Sequence, residues 1–162
     1  MMQCIADIDW SKRTPIGMGG YAVVYRVAPG VVAKVGHIGS REAEAQRHFA
    51  GQVLALPVLD YREAWPVPDS IDREVCPIHG LRQEILPEGY ICTCDSNHGV
   101  LLMPEADLSV DPTSAEYMAF VMGFSRDCEQ QLGHYWDARP ANMARYGGDL
   151  VALDFGEEEG FL

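Results

Sequence analysis

The alternation of apolar and polar positions divides the chain into a strand-rich first part, one long helix and a closing hairpin. Residues 21–27 (Tyr-Ala-Val-Val-Tyr-Arg-Val) and 31–35 (Val-Val-Ala-Lys-Val) are dense in β-branched and aromatic side chains, with Pro29-Gly30 between them. Branched side chains suit a pleated surface and Pro-Gly suits a turn, so the pair predicts an antiparallel hairpin. Ser40 is placed to cap a helix over 41–50, where Glu42 and Glu44 lie in a first turn that favours acids. Residues 53–65 read as extended, interrupted by Pro57, and 66–98, broken by prolines, charges and Cys/His side chains, read as an insertion or long loop. Gly99-Val100-Leu101-Leu102-Met103 is a continuous apolar run suited to a buried strand, and Pro104 ends it. Over 114–132, Tyr117, Val121, Phe124, Cys128 and Leu132 recur at spacings of four, three, four and four. That is one face of a helix of about five turns, and Gly133 is placed to stop it. Met143–Tyr146 and Leu150–Leu153 flank Gly147-Gly148-Asp149 as a second hairpin. Strands, one long helix and a hairpin predict an α+β protein.

Composition narrows the class. The 162 residues are 48% apolar, enough to build a core, and fit one domain or two small lobes around one cleft. No apolar run approaches the roughly 20 residues of a membrane helix. The start, Met1-Met2-Gln3-Cys4-Ile5-Ala6-Asp7, has no basic segment followed by an apolar stretch, so a cytoplasmic protein is expected. Acids outnumber bases 24 to 12, for a net charge of −12. Such a surface repels phosphate backbones and favours basic partners, so protein partners are expected and nucleic acid or membrane is not. Five cysteines in no secreted pattern suit a reducing compartment or a metal site.

Three motifs bear chemistry. Ile16-Gly17-Met18-Gly19-Gly20-Tyr21-Ala22-Val23-Val24-Tyr25 carries glycines that let backbone N–H groups approach phosphates. A dinucleotide-binding turn also uses such glycines but requires a helix after them. Here a strand-forming run follows, which leaves a phosphate-covering loop or an ordinary hairpin turn. Lys34 stands within an apolar strand, either as a cation reaching the α- and β-phosphates or as a charge that blunts a sheet edge. Such a lysine needs an acidic partner, with Glu42 the first candidate and Glu44 the second. The third motif is Tyr135-Trp136-Asp137-Ala138-Arg139-Pro140-Ala141-Asn142, followed by Leu150-Val151-Ala152-Leu153-Asp154-Phe155-Gly156. An acid, a base two residues later, an amide five residues later and a second acid on a returning strand suit phosphoryl transfer to a hydroxyl with bound Mg²⁺. Singly, Asp137 and Asn142 are ordinary turn residues.

Glycine loop, strand lysine, helix glutamate, Asp-x-Arg-Pro-x-Asn and Asp-Phe-Gly stand in the order found in protein kinases, and residues 16–156 resemble that family. The resemblance implies a two-lobed kinase-like fold: residues 1–103 as a β-rich N-lobe with one helix, including the insertion, and 104–162 as hinge and minimal C-lobe. It implies ATP and Mg²⁺ as ligands, with Gly17, Gly19, Gly20 and Tyr21 over the phosphates and the backbone of Glu105 and Ala106 at adenine. Lys34 would hold the α/β-phosphates, paired with Glu42, and Asp137 would be the catalytic base. Arg139 would stand in for the family's lysine, and Asn142 and Asp154 would be the Mg²⁺ ligands.

The pattern is departed from in four places. Tyr135 and Trp136 replace the usual histidine and arginine, and Glu42 follows Lys34 by only eight residues. Only Glu157-Glu158-Glu159-Gly160-Phe161-Leu162 follows Gly156, too little for an activation segment or peptide platform, as in a minimal bacterial or phage-type kinase. Cys76 and His79, then Cys92 and Cys94, lie in the insertion. They read either as ligands of a structural Zn²⁺ or as incidental thiols of a reduced loop. The expected activity is γ-phosphoryl transfer to Ser/Thr of a protein, with a small-molecule hydroxyl as the close variant. The rivals are a kinase-like binding module that engages a basic partner through its acidic surface, and AMP transfer from the same site.

Overall fold

The computed structural model describes residues 2–18, 22–76, 97–133 and 135–155. Within them the chain is α+β, with a five-stranded antiparallel sheet, a two-stranded sheet and three α-helices. It divides into two compact units, Met1–Gly39 with Leu59–Met103, and Ser40–Val58 with Pro104–Leu162. No helix among the described residues is long and apolar enough to cross a membrane.

The first unit holds strands β1 (Thr14–Met18), β2 (Ala22–Ala28), β3 (Val31–Gly36), β4 (Asp60–Pro66) and β5 (Asn97–Pro104), ordered β1-β2-β3-β5-β4. The hairpin predicted around Pro29-Gly30 is β2–β3, and Gly30 takes φ 71°, a value that favours glycine. Val23, Tyr25 and Val27 on β2 and Val31, Ala33 and Val35 on β3 point to the core face, which Val100 and Leu102 of β5 extend.

Against that face packs a helix, Asp69–Val75, where the sequence read only an insertion over 66–98. Prolines and charges masked a short amphipathic segment. Ile71 and Val75, four apart, enter the core, while Asp69 and Asp72 occupy a first turn that follows Pro68. Fully burying Ile71 alone contributes about 1.5–3 kcal/mol. Two polar links fasten this helix to the sheet. His98 Nε2 lies 2.6 Å from Asp72 Oδ1, both residues buried. The Tyr25 hydroxyl and Arg13 Nη2 donate to the two Glu74 carboxylate oxygens at 2.6 and 3.1 Å. Burial, and then the Glu74 carboxylate beside it, push the Tyr25 phenol well above its ordinary pKa. That phenol therefore stays a donor.

Gly99 opens the apolar run of β5 because another backbone crosses it closely. A Cβ there would lie 2.7 Å from Ile38 O and 2.9 Å from Ile38 Cβ. Gly99→Ala is therefore expected to lower unfolding free energy by about 1–3 kcal/mol, the usual range for overpacking. Urea unfolding checks this, and a midpoint equal to the parent's would contradict it.

The second unit contains α1 (Ser40–Ala50) and a long helix, Ala115–Leu132; numbering in chain order makes Asp69–Val75 α2 and Ala115–Leu132 α3. The helix expected over 41–50 is α1, and it groups with this unit. Ser114 Oγ caps α3 by accepting from Tyr117 N at 3.1 Å, and Gly133 ends it at φ 61°, its N–H reaching Glu129 O at 2.9 Å. Tyr117, Phe124 and Cys128 are buried as the periodicity predicts, whereas Leu132, at the last turn, is exposed. The second predicted hairpin is β6 (Met143–Tyr146) and β7 (Asp149–Ala152), turning through Gly147 at φ 58° and Gly148 at φ 88°. Two consecutive positive φ values are the tight hairpin geometry that glycine pairs permit. Single bridges flank it, Asp107 beside Arg145 and Ala55 beside Ala152. Phe49 of α1, Phe120 and Phe124 of α3, Trp136 and Phe155 pack as one aromatic cluster beneath it.

Candidate functional site

The loop after α3 is closed on itself by backbone and amide hydrogen bonds. Asp137 O accepts from Arg139 N at 3.0 Å and from Asn142 Nδ2 at 2.9 Å, and Arg139 O accepts from Asn142 N at 2.9 Å. Pro140 starts a 3-10 turn, Pro140–Asn142, where its missing N–H is not needed. Arg139 before it is extended, as a residue ahead of proline prefers. Trp136 anchors the front of the loop. It is buried in the aromatic cluster, and its Nε1 donates to Leu153 O at 3.0 Å.

Leu153 also joins the loop to the second acid, because its N–H donates to Asn142 O at 2.7 Å. Asp137 and Asn142 are thus bonded to each other, and Asn142 is bonded to the residue that directly precedes Asp154. Asn142 is buried, and Asp137 O can only accept, so the amide nitrogen must face it. That leaves Asn142 Oδ1 as the atom for a ligand. Asp154 is exposed and takes φ 58°, one of two non-glycine residues with positive φ among those described. Aspartate tolerates this conformation better than most residues, yet it still costs energy. It is held from both sides, by the Leu153 hydrogen bond and by Phe155, which is buried and stacks on Phe49 with ring centroids 6.0 Å apart. A strained acid so fixed is a common feature of functional sites. An amide oxygen and a carboxylate are hard oxygen donors, the kind that hold Mg²⁺ together with phosphates.

Arg139 approaches Asp137 Oδ2 through both Nε and Nη2. Both side chains are substantially exposed, and such surface pairs are weak, so a phosphate can draw the guanidinium away. In α1, Glu42 is buried while Glu44 is exposed, which separates the two candidate acids. Glu105 and Ala106, half-buried, follow β5 where the chain passes into the second unit and lead to the Asp107 bridge.

In the first unit, Gly17 lies opposite Val24, and Val24 lies opposite Lys34. Directly opposed residues share a sheet face, so Gly17, Val24 and half-buried Lys34 form a row across three strands. That face is the one opposite the core. A Cβ at Gly17 would meet Val24 Cβ at 3.8 Å, an ordinary contact, so packing does not demand glycine there. Gly17 lies in β1, which pairs antiparallel with β2; Gly19, Gly20 and Tyr21 lie outside the described residues. His79, Cys92, Cys94 and Gly156 also lie outside them, while Cys76 is buried at the end of α2. Among the described residues, no group of three or more His, Cys, Asp or Glu is arranged to hold a metal ion.

Sequence reasoning missed the supports of the loop. Trp136 counted as a departure, and it is the loop's anchor. Its apolar character after Tyr135 was the signal available. Comparison of the chain with protein-family models and with curated proteins finds no match.

Proposed function

We propose that this protein is a kinase-like phosphotransferase that moves the γ-phosphoryl group of Mg-ATP to a hydroxyl, with Ser/Thr of a protein as the acceptor class. The observation that carries the reading is the loop in which Asp137 bonds to Asn142 and Asn142 to Leu153, the residue before strained Asp154. In this reading Asp137 orients the acceptor hydroxyl and takes its proton. Arg139 leaves its exposed pairing with Asp137 and meets the charge that develops on the transferred group. Asn142 Oδ1 and the Asp154 carboxylate would hold Mg²⁺, which would supply neutralisation of phosphate charge. Lys34, in a row with Gly17 on the non-core sheet face, takes the α- and β-phosphates, and Glu42 is its assigned partner. The backbone of Glu105 and Ala106 is assigned to adenine. Most of the rate then comes from positioning and charge neutralisation.

The test is transfer of label from ATP radiolabelled at the γ position, to the protein itself and to cell lysate, beside Asp137→Ala. Transfer is expected to fall by roughly 10²–10⁴-fold in the variant, the usual worth of a positioned acid or base. Label arriving only from α-labelled ATP would replace this reading with AMP transfer. Tight Mg-ATP binding without transfer would replace it with a nucleotide-binding interaction module that meets a basic partner through its acidic surface.

A further inference from the structure

A second surface of the same unit has features that the transfer chemistry does not use. A shallow groove of about 490 Å³ is lined by Val53, Leu54, Glu116, Phe120, Asp149 and Leu150. None of Asp137, Arg139, Asn142 or Asp154 lines it. Its floor is apolar, from Leu54, Phe120 and Leu150, and two carboxylates stand at its edge.

Val53 is the informative residue. It takes φ 61°, and it is 62% exposed. For a β-branched side chain that conformation is a true outlier, because Cβ crowds the backbone carbonyl. The conformation closes α1: Val53 N donates to Ala50 O at 3.1 Å and Leu54 N to Phe49 O at 2.9 Å, the paired bonds of a left-handed helix stop. Glycine is the usual residue there, and valine in its place leaves an exposed isopropyl group at the lip of the groove.

The charge around the groove gives the occupant its sign. Arg145 Nη1 and Nη2 donate to the two Glu116 oxygens at 3.1 and 2.9 Å, and Asp107 and Asp149 also act on this guanidinium. Three carboxylates thus share one cation, in a protein of net charge −12. A cation entering the groove edge gains from this excess, and an apolar side chain gains from the floor.

We infer that this groove docks a peptide segment of a partner protein that carries basic residues beside one or two large aliphatic ones. Docking goes beyond the transfer reaction and stands without it, because the groove uses none of the residues assigned to ATP. If the transfer reading also holds, the groove is where a protein acceptor gains affinity away from the reacting hydroxyl.

The probe is a fluorescein-labelled decapeptide with two arginines followed by a Leu-x-Leu sequence, titrated by anisotropy against the whole protein without nucleotide. Two control peptides carry glutamates for the arginines, or serines for the leucines. Asp149→Lys removes a rim charge, and Val53→Asn removes the apolar lip with a side chain that tolerates positive φ. Each is expected to weaken binding about tenfold, the effect of losing one good contact. Val53→Asn is also expected to raise the unfolding midpoint, since strain is relieved, while Val53→Ile keeps binding. Circular dichroism of each variant checks the fold. Failure of the basic–aliphatic peptide to bind the parent at millimolar concentration would overturn the proposal. So would binding that either Asp149→Lys or Val53→Asn leaves unchanged, or equal binding of the control peptides.

Discussion

Asp154→Asn is expected to fold like the parent and to lose phosphoryl transfer by roughly 10²–10³-fold, the loss seen when one charge-stabilising group leaves a reaction centre. Asn and Asp share a tolerance for positive φ, so the backbone at φ 58° is kept. The flanking supports are also untouched, because Leu153 bonds through its backbone and Phe155 through its ring. The substitution removes the negative charge, and with it the attraction for Mg²⁺. Unfolding free energy should therefore fall by less than it does in Asp154→Ala, which meets the backbone cost as well. Asp154→Ala would mix two effects, since Ala in this conformation costs about 1–2 kcal/mol. Urea unfolding beside the γ-label assay separates them. Parental rates in Asp154→Asn would remove Asp154 from the metal site and the proposed mechanism with it.

Phe124→Ala should have the largest effect on stability. Its ring is buried and meets Phe49 and Trp136 at centroid distances of 4.8 Å each, Phe120 at 5.4 Å and Phe155 at 6.0 Å. Truncating a buried phenylalanine costs about 3–5 kcal/mol, because the lost contacts and the remaining cavity add. Against a whole-domain stability of about 5–15 kcal/mol, that is enough to populate unfolded protein under mild conditions. Activity should fall with it, since Trp136 and Phe155 sit next to Asp137 and Asp154 in the chain. Phe124→Leu, closer in volume, should recover most of both. A denaturation midpoint for Phe124→Ala close to the parent's would show that the aromatic cluster does not hold the loop.

These two predictions draw on different kinds of information. The proposed reactive groups Asp137, Arg139, Asn142 and Asp154 stand close in the chain, at spacings that can be read residue by residue. Their supports come from far away: Phe49 lies in α1, and Phe124 in α3. Nothing local to Asp154 announces that Leu153 and Phe155 would hold it in a left-handed conformation. The Val53 strain was equally hidden, since a valine in a loop carries no signal of its φ.

The sequence by itself determined the elements whose cause is local. Pro29-Gly30 and Gly147-Gly148 turn their hairpins, Ser114 and Gly133 bound α3, and the apolar run after Gly99 is a buried strand. These follow from backbone preferences and side-chain periods that act over a few residues. Tertiary structure decided what depends on distant pairing. It made a helix of Asp69–Val75, whose Ile71 and Val75 needed a sheet face to bury against. It set β5 between β3 and β4 and grouped α1 with the second unit. It also aligned Gly17, Val24 and Lys34 in one row, because strand register depends on which face reaches the core rather than on either strand alone.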